Sequence, residues 1–207
     1  MLYLYDNAIA VDLRDSFDAS NISPLVKIID PDAAIPIYAQ LQDDDLHFPI
    51  VTVARSADHQ IDTSLSNFTR IHRGVANVFD HETNLMYNEK AIPITLRYTI
   101  SILGDNTVDV DELERELIFK YTDMYFLSIN LPYESNRRMR FGIEIDRNDT
   151  IDRSSGFLEN LTEGKLYASN IPMVCQGAVL LSYTPVKLRN VDYEIHAYTR
   201  DQMDSIQ

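Results

Sequence analysis

Apolar residues recur along the chain with two different periods, and these divide it into helices and strands. Leu4, Ala8, Val11 and Phe17, with Ile9 and Leu13 alongside, recur at helical spacing. They predict an opening helix, ended by Ser20-Asn21 and Pro24. Two short apolar runs, residues 25–29 and 35–41, lie on either side of Asp30-Pro31-Asp32, and their length fits helix and strand equally. Residues 48–54 are rich in β-branched side chains and predict a strand. The clearest alternation comes next: Ile94, Leu96, Tyr98, Ile100 and Ile102 are separated by Thr95, Arg97, Thr99 and Ser101. A period of two means one buried and one wet face, as in an antiparallel sheet.

Gly104-Asp105-Asn106 then turns the chain into a second helix. Asp109 and Glu112 have the spacing of a capping box. Val110, Leu113, Leu117, Ile118, Tyr121, Met124 and Tyr125 give the apolar stripe, with Asp111–Arg115 and Glu116–Lys120 as favourable pairs one turn apart. Further strands are predicted at 128–131, 139–146 and 171–183. The last strand alternates Val191, Tyr193, Ile195 and Ala197 with Asp192, Glu194, His196 and Tyr198. Residues 55–90 are less regular, with Phe68, Ile71, Val75, Val78, Phe79, Leu85 and Met86 scattered among polar residues. A connection this long usually has a job. It reads either as a hairpin or arm that packs on something, such as a neighbouring subunit, or as a loop folded over its own domain.

The pattern predicts an α+β fold: a mostly antiparallel sheet with helices packed on one face, plus an extended loop or hairpin arm over 55–90. All 207 residues are read as a single domain. No apolar run reaches the roughly 18 residues of a membrane span, and the N-terminus lacks the basic start of a secretory signal. The expectation is a soluble protein without a membrane partner. Asn21, Asn67, Asn148 and Asn160 match the glycosylation pattern by chance on that reading.

Composition narrows the chemistry. With 18 Lys+Arg against 32 Asp+Glu, the formal charge is −14, which disfavours a protein that grips nucleic-acid phosphates. A single cysteine excludes a disulfide framework. Six glycines, under half the usual share of roughly 7%, leave little material for phosphate-cradling loops. No glycine spacing fits a dinucleotide fingerprint or a P-loop, and Gly164-Lys165 is followed by Leu166 where Ser or Thr is needed. No Gly-x-Ser-x-Gly elbow is present. His81-Glu82 begins like a zincin helix, but Leu85 occupies the second ligand position.

Several residues remain to be weighed as chemistry. Cys175 sits within apolar Pro172-Met173-Val174-Cys175 and reads as a buried structural residue. Glu144 and Asp146 alternate with Ile143 and Ile145 on one strand face. With Glu163-Gly164-Lys165 they loosely resemble the carboxylates and lysine of magnesium nucleases, although the acidic charge and the intervening glycine weigh against that. Asp192, Glu194 and His196 share a strand face that either binds a divalent ion or is simply solvated. Asp43-Asp44-Asp45 reads as a solvated turn, or as a contact for a basic partner. Arg137, Arg138 and Arg140 concentrate positive charge, either to pair with an acidic surface on an adjoining copy or partner, or as a polar loop between strands.

The segment Ile92-Pro93-Ile94-Thr95-Leu96-Arg97-Tyr98-Thr99-Ile100, the turn and helix after it, and Ile129-Asn130-Leu131-Pro132 together resemble neck and tail-completion proteins of tailed bacteriophages. Phe48-Pro49-Ile50-Val51-Thr52-Val53-Ala54-Arg55 resembles the strand that precedes them in that family, and residues 139–146 and 191–199 resemble those that follow. The likeness is one of strands and helix and runs from about residue 48 to the end. It implies a tail terminator or related neck component, a virion protein without catalysis, cofactor or metal. Such proteins form rings, commonly hexameric, that cap the tail tube or sheath, join it to the head and let DNA pass without tight binding. Residues 55–90 would then be a loop used in subunit packing. The competing expectations are a metal-dependent enzyme built on Glu144 and Asp146, with Glu163/Lys165 or with Asp192/Glu194/His196, and an acidic adaptor module.

Overall fold

The computed structural model describes residues 1–18, 23–29, 47–61, 75–132, 137–153 and 167–180. The predicted run at 35–41, the Asp43–Asp45 turn, Glu163, Lys165 and the strand carrying Asp192, Glu194 and His196 lie outside these residues. The fold is α+β: among the described residues, two helices and a mostly antiparallel, open sheet. Helix α1 spans Leu2–Asp18, followed by strands β1 (Leu25–Ile29), β2 (Ile50–Ile61), β3 (Val75–Asp80) and β4 (Leu85–Gly104). Helix α2 (Thr107–Tyr121) leads to β5 (Tyr125–Asn130), β6 (Arg137–Ile145) and β7 (Tyr167–Leu180).

Strand β4 organises the sheet. It pairs antiparallel with β2 on one side and along its second part with β7, while its first residues form a hairpin with β3. Strand β6 pairs antiparallel with β3, β5 and β7. The parallel pair β1–β2 closes one end of the sheet, and β5 lies at the other. Residues 55–90 are therefore not mainly loop. They contain the end of β2 and the β3–β4 hairpin, which docks on β6 of its own chain through Val78↔Met139. At the turn, Asn84 has φ 57°, the left-handed conformation that Asn tolerates better than most residues. The Asp80 carboxylate accepts from the Glu82 and Thr83 amides.

Both helices cover one face. The alternation in β4 predicted this: Ile94, Leu96, Tyr98, Ile100 and Ile102 are all buried, whereas Arg97 and Thr99 are exposed. Val51 and Val53, Phe141 and Ile143, and Ile171, Met173 and Cys175 extend the same apolar face across β2, β6 and β7. Each fully buried aliphatic side chain here contributes roughly 1.5–3 kcal/mol. From above, α2 lays Val110, Leu113, Leu117 and Tyr121 on the sheet. From α1 come Tyr5, Ile9, Leu13 and Phe17. The stripe of α1 is thus rotated from the expected one, since Tyr5 replaces Leu4 at its centre and Val11 is half exposed.

The rotation of α1 follows from what Tyr5 does. The β6–β7 ladder ends at Gly142↔Gln176. Just past that pair, the Tyr5 hydroxyl donates to the Ala178 carbonyl at 2.6 Å and accepts from the Ala178 amide at 2.8 Å. Its ring meets Phe141 edge-on, with centroids 4.8 Å apart. Glycine is required at position 177, because an added Cβ would lie 2.6 Å from the Tyr5 ring and hydroxyl. A helix side chain thereby satisfies backbone groups that the neighbouring strand leaves.

The start of α2 also differs from expectation. Its N-cap is Asn106, whose side chain accepts from the Val108 amide at 3.0 Å, so Asp109 lies inside the first turn. Asn106 reaches a free amide of the first turn directly and sets the helix start three residues early. The expected pairs on α2 also change partners: Arg115 bonds Glu112, Asp111 pairs with Arg153, and Lys120 pairs with Asp12 of α1.

Candidate functional site

Most polar side chains close to the core are tied into small networks that join helix to sheet. Asp6 of α1 accepts from Arg55 on β2 and from the Tyr98 hydroxyl on β4. Asp12 takes the Tyr121 hydroxyl and pairs with Lys120, which also reaches Ser16. Glu114, only 5% exposed, accepts from both nitrogens of the Arg153 fork and from the Ser169 hydroxyl. In each network a carboxylate meets one cation and one hydroxyl, which removes the penalty of an unpaired buried charge. Burial above all pushes the Tyr98 and Tyr121 hydroxyls far up from their ordinary range, and the Asp6 and Asp12 charges add to it. Both phenols remain protonated donors. The Glu114 hydrogen bonds and charge likewise hold Arg153 higher in its already high range.

A further network holds the β3–β4 hairpin. Arg137, on the inward face of β6, is 5% exposed and lies 3.7 Å from Asp80 and 3.3 Å from Glu89, with its guanidinium 4.8 Å from the Tyr87 ring centre. Desolvation would raise the Asp80 pKa. The Glu82 and Thr83 amides, the Thr83 hydroxyl and the Arg137 charge outweigh it, and the carboxyl titrates below its ordinary 3.8.

Of the residues weighed as chemistry, Glu144 and Asp146 lie at the end of β6. Asp146 is 5% exposed and committed: it receives Arg97 at 3.2 Å and the Asn148 amide at 3.0 Å. Glu144 stands opposite Val174 on β7, which stands opposite Arg97 on β4. Among the described residues no group of three or more His, Cys, Asp and Glu converges as metal ligands. Cys175 is buried as expected. Burial, followed by the Asp6 charge, pushes its thiol well above the ordinary range, which makes it a poor nucleophile.

The three arginines divide. Arg137 turns inward, while Arg138 and Arg140 are exposed on the face away from the helices. Arg138 donates to Asn130 at 3.0 Å, and Arg140 lies 5.2 Å from the centre of the half-exposed Phe126 ring. Sequence reasoning found the charge but not Phe126, because it began this strand at Ser128 and counted Tyr125 with the helix, whereas β5 starts at Tyr125. The surface these residues form borders β5, whose outer edge has no partner strand among the described residues. Such an edge presents free backbone donors and acceptors to another chain.

No protein-family model matches the chain, and no curated protein matches it. Among the described residues no helix is long and apolar enough to cross a membrane.

Proposed function

We propose that the protein is a structural component of the tailed-bacteriophage virion, a tail terminator or neck protein. In this reading it acts by assembly rather than catalysis. Copies form a ring, with a hexamer as the expected state, that caps the tail tube or sheath and joins it to the head. It is made in the host cytoplasm and ends in the virion. The observation that carries the reading is the run β4–α2–β5–β6, in which the family-like segment supplies strands from the middle of the sheet to its β5 edge and, among the described residues, helices lie on one face. In this reading the other face and the outer edges of β1 and β5, which no described element covers, make the contacts with neighbours. The charge of −14 supports it too, since a ring lumen lined by carboxylates repels phosphates and leaves DNA free to slide.

Light-scattering mass and negative-stain images of the purified chain, together with co-sedimentation with isolated tail tubes, test the proposal. Rings, or a monomer that binds tube ends, are expected. A chain that stays monomeric at high concentration and leaves tubes unbound would refute it.

A further inference from the structure

Two arginines of one strand, Arg138 and Arg140, have no carboxylate partner among the described residues; Arg14 on α1 also has none, but it stands alone and donates to the Val26 carbonyl. Arg55, Arg97, Arg115, Lys120, Arg137, Arg147 and Arg153 each lie within reach of a carboxylate. Arg138 and Arg140 have none among the described residues, although acids outnumber bases 32 to 18 in the chain. They project from the same side of β6, two residues apart; the 46%-exposed Phe126 ring lies beside Arg140, and Arg138 stands opposite Asn130. Guanidinium groups in line with an exposed aromatic ring are the composition of an interface anchor.

A surface of opposite character lies elsewhere on the molecule. At the start of α2, Val108 is 66% exposed and is surrounded in sequence by Asp105, Asp109, Asp111 and Glu112. Asp111 and Glu112 pair with Arg153 and Arg115 in exposed ion pairs, which are worth little, although Arg153 is itself held in place by buried Glu114. One patch is basic with Phe126 at its end, and the other carries mostly acids around Val108. They are placed so that one molecule cannot join its own two. Arg138 and Arg140 are on the open face of the sheet, at the end where β6 meets the hairpin, whereas α2 starts on the helix face, next to Gly104 at the far end of β4.

We infer that the Arg138–Arg140–Phe126 patch of one copy docks on the Val108-centred acidic surface of a second copy. Two basic patches facing each other would repel, and the two patches lie on opposite faces and at opposite ends of the sheet, too far apart for one two-fold contact to use both; the contact is therefore heterologous, each copy giving one patch and receiving the other. Repetition of such a contact yields a ring when the rotation closes and a filament when it does not. The inference deepens the ring-forming reading above by naming the surfaces, but it needs no phage partner to hold.

The test is sedimentation velocity on the full chain, in about 0.05 M and about 0.5 M salt, where screening lengths differ severalfold. The wild type is expected to associate, at least about tenfold more weakly in high salt. The variant Arg138→Glu/Arg140→Glu and the variant Asp105→Lys/Asp111→Lys should each remain monomeric, with circular dichroism confirming the wild-type fold. Because every substituted side chain is exposed or in a weak pair, Arg138→Gln/Arg140→Gln serves as a milder second variant. Mixed together, the two reversal variants meet native patch on native patch and reversed patch on reversed patch, with opposite charges at both, and should associate again. Unchanged assembly in either variant, a mixture that stays monomeric, or a wild type that stays monomeric at low salt would each overturn the inference. A ring insensitive to both reversals would do so while leaving the proposed function standing.

Discussion

Replacing Tyr5 by Phe removes one oxygen atom and leaves the ring in place. In the folded protein that oxygen serves both the carbonyl and the amide of Ala178, at 2.6 and 2.8 Å, and Tyr5 and Ala178 are 0% and 1% exposed. The variant therefore strands two buried backbone groups at the point where β6 has left β7. An unsatisfied buried donor or acceptor costs about 1–3 kcal/mol, so a loss of about 2–4 kcal/mol is expected for the pair. At this chain length that corresponds to a fall in Tm of about 5–15 °C. Urea unfolding followed by circular dichroism measures the free energy, and calorimetry the midpoint. Gly177→Ala should give a loss of similar sign, about 1–3 kcal/mol, because its methyl group would meet the Tyr5 ring and hydroxyl at 2.6 Å. Since both changes act on one contact, the double variant should lose clearly less than the sum. A Tyr5→Phe change smaller than about 0.5 kcal/mol would mean that the strand finds other partners for Ala178. The account of why α1 is rotated towards Tyr5 would then be wrong.

Other expectations follow from single contacts. Asp80 has a depressed pKa, so the stability it contributes is fully present above its unfolded value of about 3.9 and is lost as pH falls through the folded value. Asp80→Asn should therefore be less stable than wild type at neutral pH, with the gap narrowing below about pH 4; a gap independent of pH would remove the charged carboxylate from the hairpin. Asn106→Ala should cost about 1 kcal/mol in denaturant unfolding, and more than Asp109→Ala, as the N-cap position requires; the reverse order would restore Asp109 as the cap. Cys175 should resist a thiol reagent in native buffer and react fully in denaturant. Rapid native labelling would contradict its burial.

The parts of this fold that were legible in the sequence are those whose signal is local. The alternation from Ile94 to Ile102 gave β4 its two faces, and the stripe from Val110 gave α2 its buried side as far as Tyr121, although Met124 and Tyr125, counted with it, lie beyond the helix and Tyr125 begins β5. The buried polar residues were not legible, because their partners are distant in the chain. Glu114 looks like one more charge on an amphipathic helix until Arg153 and Ser169 arrive, 39 and 55 residues later. Asp146 was readable as a strand-face carboxylate beside Glu144, but the Arg97 that holds it comes 49 residues earlier. The β3–β4 hairpin was one of the expected forms of residues 55–90, but its strands and its docking on β6 were not legible, for a different reason. Leu85 and Met86, at the start of β4, are more than half exposed, so burial imposes no clear alternation there. In the arginine cluster, the charges could be counted in advance. Strand parity decided that Arg137 would enter the interior and Arg138 and Arg140 the surface.

The position of β7 sets the timetable on which the molecule can form. This strand is paired along its whole length with β4, yet on a growing chain β4 is complete well before β7 is made. Until Tyr167–Leu180 emerges, β4 lacks a neighbour on that side, and Tyr5, whose hydroxyl partner lies 173 residues away, has nowhere to dock. The entropy of closing such loops must be met before these contacts give anything back, which places this topology among slow folders. Folding during synthesis can assemble β2, β4 and α2, but their apolar face and an unsatisfied strand edge stay open until the chain has reached residue 180. The interval is one in which aggregation competes with folding. A chaperone that holds the nascent chain would act on the N-terminal helix and β4, not on β7.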